Sequence, residues 1–225
     1  MSQQLHGISS MATRQVLADL AELYERLMVV QVGLEPMGGV EAAKRVRAGE
    51  LTDIVVLASS VMEKLESEGH IIRGSRADIV RSGMAICIRA GAKRPAIDSG
   101  EAVKAAILAA GIVCYSTGPS GDHLLRLLDH WGIKPNLLQA PSGVPVASIV
   151  ARGEADLGVQ QLSELLHVPG VEILGSLPPD IQLTTIFTAG IAATSTQPAL
   201  AGAVITFLAS PEAEAAKRRY GMEPA

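Results

Sequence analysis

Two segments far apart in the chain, VRAGELTDIVVLASS (46–60) and VARGEADLGVQQLS (150–163), end one element and open the next in the same way. In each, a helical pattern stops at Arg, Gly and Glu, and shortly afterwards an Asp opens an apolar strand. Glycine just past a helix supplies the left-handed residue that closes it. A chain that writes this link twice reads as two similar α/β halves. The elements on either side agree. LHGIS reads as a strand, SMATRQVLADLAELYERL as a helix with Val16, Leu17, Leu20, Leu23 and Leu27 at helical spacing, and VVQVGL as a second strand. GGVEAAKRVRAGE, TDIVVLA and SSVMEKLESEGHI continue as helix, strand and helix. The second half repeats this with IVCYS, PSGDHLLRLLDHWGI, SGVPVASIVARGE, ADLGVQQ and VEILGSL, where SGVPVASIVARGE reads as one helix from Ser142. Alternating strand and helix patterns favour an α/β fold with mainly parallel strands.

The final segment, TTIFTAGIAAT followed by QPALAGAVITFLASPEAEAAKRRYG, has no counterpart before residue 80, so it is expected to return to the first half. The strand patterns at 76–91 and 181–192 then cross between the halves.

At 225 residues and 48% hydrophobic, the chain has ample material for a core in each half. Its net charge is −4 and only 3% of residues are aromatic, so it offers neither the basic stripe nor the stacking platforms of a nucleic-acid binder. Cys87 and Cys114 each sit within an apolar run and read as buried free thiols. No cofactor or metal is expected. No apolar run reaches the ~18 residues of a membrane span. No export signal opens the chain as written, which reads as cytoplasmic, or as periplasmic where a leader has been trimmed.

Chemistry concentrates where strands hand over to helices. The junctions are Ser9–Ser10–Met11, Gly38–Gly39–Val40, Ala58–Ser59–Ser60, Ser116 to Gly121, and Ser142–Gly143–Val144. A helix N-terminus leaves backbone N–H groups unpaired and carries partial positive charge, so it attracts anions. Serine there caps the helix or turns its hydroxyl to a ligand. Each junction alone is also an ordinary cap; five in two halves suggest donors lining an oxyanion site. The chain lacks GxxxxGK[ST] and GxGxxG, which argues against a nucleotide phosphate.

Across nearly its whole length the chain resembles the type II periplasmic solute-binding proteins of the molybdate-binding-like branch. The matching stretches are ISSMATRQVLADLAELYE, RVRAGELTDIVVLAS, YSTGPSGDHLLRLLDHWGI, VARGEADLGVQQLSELL, LPPDIQLTTIFTAGIA and FLASPEAEAAKRRYGMEPA. The resemblance implies two Rossmann-like α/β lobes joined by two crossing strands. Lobe one takes 1–80 and 190–225, lobe two takes 81–189, and a ligand cleft lies between them. By position it implies Ser10, Ser120 and the backbone of Val144 as ligand contacts. Where molybdate binders tend to place a serine, this chain reads Gly38–Gly39–Val40. Where they tend to place a tyrosine, it has Gln160–Gln161. A glutamine amide suits a carboxylate at least as well as a tetrahedral oxyanion. The GPSG and VQQ-SELL features are also similar to bacterial aconitate isomerases.

The expected ligand-binding set is Ser9, Ser10, Gly39, Val40, Ser59, Arg81, Ser116, Ser120, Gly121, Val144, Gln160 and Gln161. Arg81 reads either as a carboxylate clamp or as a solvent-facing ion pair. His123, His6 and Tyr115 each have a ligand reading beside a surface or packing one. Asp122 serves the helix dipole, and Arg14, Lys44 and Arg45 read as solvated faces. Valine at 121 is expected to block the ligand's approach while the protein stays folded. No Ser-His-Asp order, HExxH or carboxylate pair stands out, so no catalytic base is assigned. The leading expectation is a binding protein for a small anion, with an ABC permease as partner. The alternative is an isomerase of a small unsaturated di- or tricarboxylate, working by proton transfer. A regulatory effector domain of the same fold is the remaining class, with no stretch for a DNA-binding helix-turn-helix.

Overall fold

The computed structural model describes residues 3–225. Elements run β1 (Gln3–Ser10), α1 (Arg14–Met28), β2 (Val30–Met37), α2 (Gly39–Arg47), β3 (Ile54–Ala58), α3 (Ser59–Ser67) and β4 (Ala77–Arg89). They continue as α4 (Gly100–Ala109), β5 (Val113–Tyr115), α5 (Pro119–His130), β6 (Leu137–Gln139), α6 (Val146–Ala151) and β7 (Leu157–Gln161). The last are α7 (Leu162–Leu165), β8 (Val171–Ser176), β9 (Thr184–Ile191), α8 (Pro198–Ala209), α9 (Glu214–Arg219) and β10 (Glu223–Pro224). The chain forms two compact units, residues 1–81 with 185–225, and residues 82–184. It passes from one to the other inside β4 and at the start of β9. This is a mixed α/β fold.

Each unit is wound the same way. In the first, β1 lies between β2 and β3, both parallel to it, and β9 runs antiparallel beyond β3. Leu5 and Ile8 of β1 point to opposite faces, as alternation along a strand requires. Helix α1 packs on the Leu5 side through Val16, Leu17 and Leu20, and α2 packs on the Ile8 side through Ala42, Ala43 and Val46. Successive crossovers therefore cover opposite faces, and the strand order reverses at β1. In the second unit β5 lies between β6 and β7, with β4 antiparallel to β7. Helix α5 packs with Val113 through Leu124 and Leu128, while α6 packs with Cys114 through Ala147 and Val150. A doubly wound sheet offers its ligand site beyond the carboxyl ends of the strands where the order reverses. That rule picks out the ends of β1 and β3 in one unit and of β5 and β7 in the other.

The repeated link is repeated atom for atom. After α2, Gly49 has φ +75°, its N–H donates to Val46 O (3.0 Å), and the Glu50 N–H donates to Arg45 O (3.3 Å). After α6, Gly153 has φ +76°, its N–H donates to Val150 O (2.9 Å), and the Glu154 N–H donates to Ile149 O (3.2 Å). Asp53 then donates its N–H to His6 O (2.7 Å) and accepts the His6 N–H on its carboxylate (3.0 Å). Asp156 does the same with Ile112, at 2.9 Å for both bonds.

Helix α6 starts at Val146, not at Ser142. Pro145 is its N-cap, and a residue preceding proline is pushed out of the helical region, so Ser142–Val144 becomes a turn with Gly143 at φ +79°. Helix α4, β6 and β10 are additional to the sequence reading. Arg45, expected as a solvated face, forks between Glu35 and Glu50. Cys87 and Cys114 are buried and free, as expected. Burial pushes their thiols up to about 12 and about 11.

Lys217 is 1% exposed on α9, and burial pushes its ammonium below the usual lysine range. In the window between that lowered value and the ordinary ~10.4, the unfolded chain binds the proton more tightly, so stability rises with pH. Lys217→Met is therefore expected to stabilise the fold at neutral pH by about 1 kcal/mol. It should also remove this rise from urea-denaturation profiles between neutral and alkaline pH; an unchanged profile with lower stability would refute it.

Candidate functional site

In the second unit the end of β5 leads to Ser116, and Gly118 (φ +90°) turns the chain into α5 without supplying a side-chain cap. Pro119, first in the helix, has no N–H to satisfy. The Asp122 N–H returns to Gly118 O at 3.0 Å. This leaves the N–H groups of Ser120 and Gly121, both buried, without an acceptor inside their helix. Beside them Ser116 Oγ and Ser120 Oγ lie 3.0 Å apart, both buried. The contrast is α4, where Ser99 Oγ accepts the Ala102 N–H at 3.2 Å. One helix carries its own cap; the other presents donors next to hydroxyls.

Gly121 belongs to this cluster for a reason different from the expected one. A Cβ there would lie 1.9 Å from Ser116 O and 3.2 Å from Tyr115 Cδ2. The close approach that demands glycine is to the protein's own backbone. Val144 donates its N–H to Pro141 O within the turn (3.0 Å), so the backbone donor expected for a ligand is engaged locally. Gln160 is likewise occupied. Its Oε1 accepts the Val146 N–H (3.1 Å), capping α6, and its Nε2 donates to Glu164 Oε2 (2.6 Å). Gln161, buried, ends β7. His123, read as a ligand group or a surface histidine, is half-buried with its Nε2 on Ile181 O at 2.8 Å, and Tyr115 packs against the core.

In the first unit Ser9 is 1% exposed and its hydroxyl has no hydrogen-bond partner among the described residues. Ser10 caps the short 3₁₀ turn over Met11–Thr13 at 3.4 Å, a long bond, while its carbonyl accepts from Thr13 Oγ1 (2.9 Å). Ser59 opens α3 at the end of β3, and no side chain caps that helix. Gly39 and Val40 open α2 at the end of edge strand β2, again without a side-chain cap. Arg81 is exposed and donates through Nε to Pro224 O of β10 at 3.0 Å, which ties it to the C-terminal strand. His6 is exposed.

Two further polar residues, outside the expected ligand-binding set, stand at the start of α7. Ser163, at the start of α7, is 6% exposed with a hydroxyl that lacks a partner among the described residues. Glu164 sits beside it on Gln160. The SEL directly after β7 was their only signal.

A family model described as bacterial extracellular solute-binding protein matches residues 5–223. The chain belongs to that family. An aconitate isomerase from Pseudomonas sp. is 33% identical over 229 residues, covering 96% of this chain and 86% of that protein. Among solved structures, the periplasmic molybdate-binding protein of Azotobacter vinelandii superposes with TM-score 0.79 at 20% identity, covering 97% of this chain and 98% of that one. The sulfate-binding protein SubI of Mycobacterium tuberculosis gives TM-score 0.79 at 14% identity, covering 99% and 87%. At these identities the structures establish the fold. Among the described residues no helix is long and apolar enough to cross a membrane.

Proposed function

We propose that this chain binds a small organic or inorganic oxyanion at its serine junctions, as the solute-binding component of an ABC-type uptake system. The observation that carries this reading is the start of α5. Two buried N–H groups lack an acceptor within the helix, no side chain caps them, and two buried hydroxyls lie alongside. An anion there completes the hydrogen bonding and meets the positive end of the helix. Ser9, Ser10 and Ser59 are the corresponding donors of the first unit. With Gly39 in place of a hydroxyl and Gln161 at the end of β7, a carboxylate fits this donor set at least as well as molybdate. Working outside the cytoplasmic membrane and delivering to a permease accord with the family.

The test is thermal stability in titrations with citrate, cis- and trans-aconitate, molybdate, tungstate and sulfate. A ligand at a hundred times its Kd stabilises by about 2.7 kcal/mol, so a saturable rise in Tm is expected with one of them. No shift with any anion rejects the reading. Ser120→Ala is expected to weaken that anion about fivefold, the effect of losing about 1 kcal/mol of hydrogen bonding, in calorimetric titration. Unchanged affinity would move the ligand away from α5.

The relative at 33% identity favours a second reading, isomerisation of a small unsaturated tricarboxylate. Incubation of cis- or trans-aconitate with the protein in deuterated water, followed by NMR, separates the two. Exchange or interconversion supports an isomerase; saturable binding without either supports a carrier.

A further inference from the structure

The second unit has a concavity at the opposite end of its sheet from the serine junction. It lies where β4 ends and where the chain enters β5 and β7, and it is an open concavity of about 540 Å³. That size suits a small metabolite. Its chemistry is divided. Arg89 and Lys93 line one part, and among the described residues neither makes an ion pair. Arg94, also lining it, is paired with Glu172.

Acceptors line the same concavity. Asp156 lines the cavity, with one carboxylate oxygen on the Ile112 N–H and the other accepting no hydrogen bond among the described residues. The repeat supplies an internal control: in Asp53, which holds His6 in the same way, the second oxygen accepts from Ser195 Oγ at 2.7 Å. The first unit closes this position and the second leaves it open. Beside Asp156 is the C-terminal end of α4, through Ala109 and Ala110, with no basic residue in its last turn. Unpaired carbonyls and the negative end of a helix favour an ammonium group. Ile88, Ala106 and Leu157 contribute apolar lining. Gly153 contributes room: a Cβ there would lie 3.2 Å from an Arg89 guanidinium nitrogen.

We propose that this cavity is a second ligand site, for a small amino acid with an apolar side chain. Its carboxylate pairs with Arg89 and Lys93, its ammonium with Asp156 and the end of α4, and its side chain covers the alanine and leucine lining. The site is independent of the anion reading above and stands if that reading fails.

The test is calorimetric titration of the full chain with L-leucine, isovalerate and isopentylamine, each up to about 10 mM, beyond the millimolar range expected of so small a ligand. L-leucine is expected to bind saturably, and each singly charged analogue at least tenfold more weakly. Ala109→Trp fills the cavity from an exposed helix position and should abolish leucine binding. Arg89→Gln should weaken it at least tenfold. Both variants should keep the wild-type Tm. Absence of leucine binding, isovalerate binding as tightly as leucine, or leucine binding that survives Ala109→Trp overturns the proposal.

Discussion

Gly121→Val is expected to cost about 4 kcal/mol of folding stability, a large fraction of the total for a natural domain. The position has no special backbone torsion; what requires glycine is distance. A Cβ would stand 1.9 Å from Ser116 O, far inside van der Waals contact, and 3.2 Å from the Tyr115 ring. Ser116 O belongs to the turn that delivers Ser116 Oγ to Ser120 Oγ, so relieving the overlap means moving the whole junction. Alanine introduces the same Cβ, and Gly121→Ala should already lose about 2–3 kcal/mol, with valine worse because its branches meet the same wall. Urea-denaturation midpoints of both variants are the measurement. A folded Gly121→Val with a near wild-type midpoint would mean that the turn yields at little expense and that glycine serves only the ligand. This reverses the sequence expectation of a variant that stays folded without binding. The serine junction is thus a tightly packed backbone feature as well as a set of donors.

The same residue shows what kind of information the sequence carried. Alternating strand and helix patterns, and the doubled Gly-Glu link, are local; they identified both windings and most element boundaries. The junction serines are local too, and α5 begins at Pro119 as its pattern demanded. What stayed hidden depended on partners distant in sequence. The amide of Gln160 is engaged by Val146 and Glu164, one fourteen residues back and the other four ahead. Nothing in VQQ alone shows those partners. Arg81 lies inside β4 in the first unit, and β10, two residues long at the far end of the chain, holds its Nε. The late start of α6 is legible in the sequence, because Pro145 pushes Val144 out of the helical region. Helix α4 is legible too, with Ser99 as its cap and Glu101 in its first turn.

Asp53→Ala should be the more damaging of the two substitutions in the repeated link, at about 3 kcal/mol against about 1–2 kcal/mol for Asp156→Ala. Both carboxylates accept a backbone N–H from the neighbouring strand, His6 in one unit and Ile112 in the other. Removing either leaves that N–H without its acceptor at the base of a parallel pair. The surroundings then differ. Asp53 is 8% exposed and also accepts from Ser195 Oγ, so its loss strands a second donor where water has little access. Asp156 is exposed, and water can replace what the alanine variant gives up. Asparagine keeps an acceptor for the strand N–H, so Asp53→Asn should recover part of the loss. Guanidinium unfolding of the three variants decides it. Equal losses at the two positions would show that the strand clip dominates in both units and that Ser195 adds nothing. A larger loss at Asp156 would mean that the cavity-side carboxylate supports its unit through contacts other than Ile112.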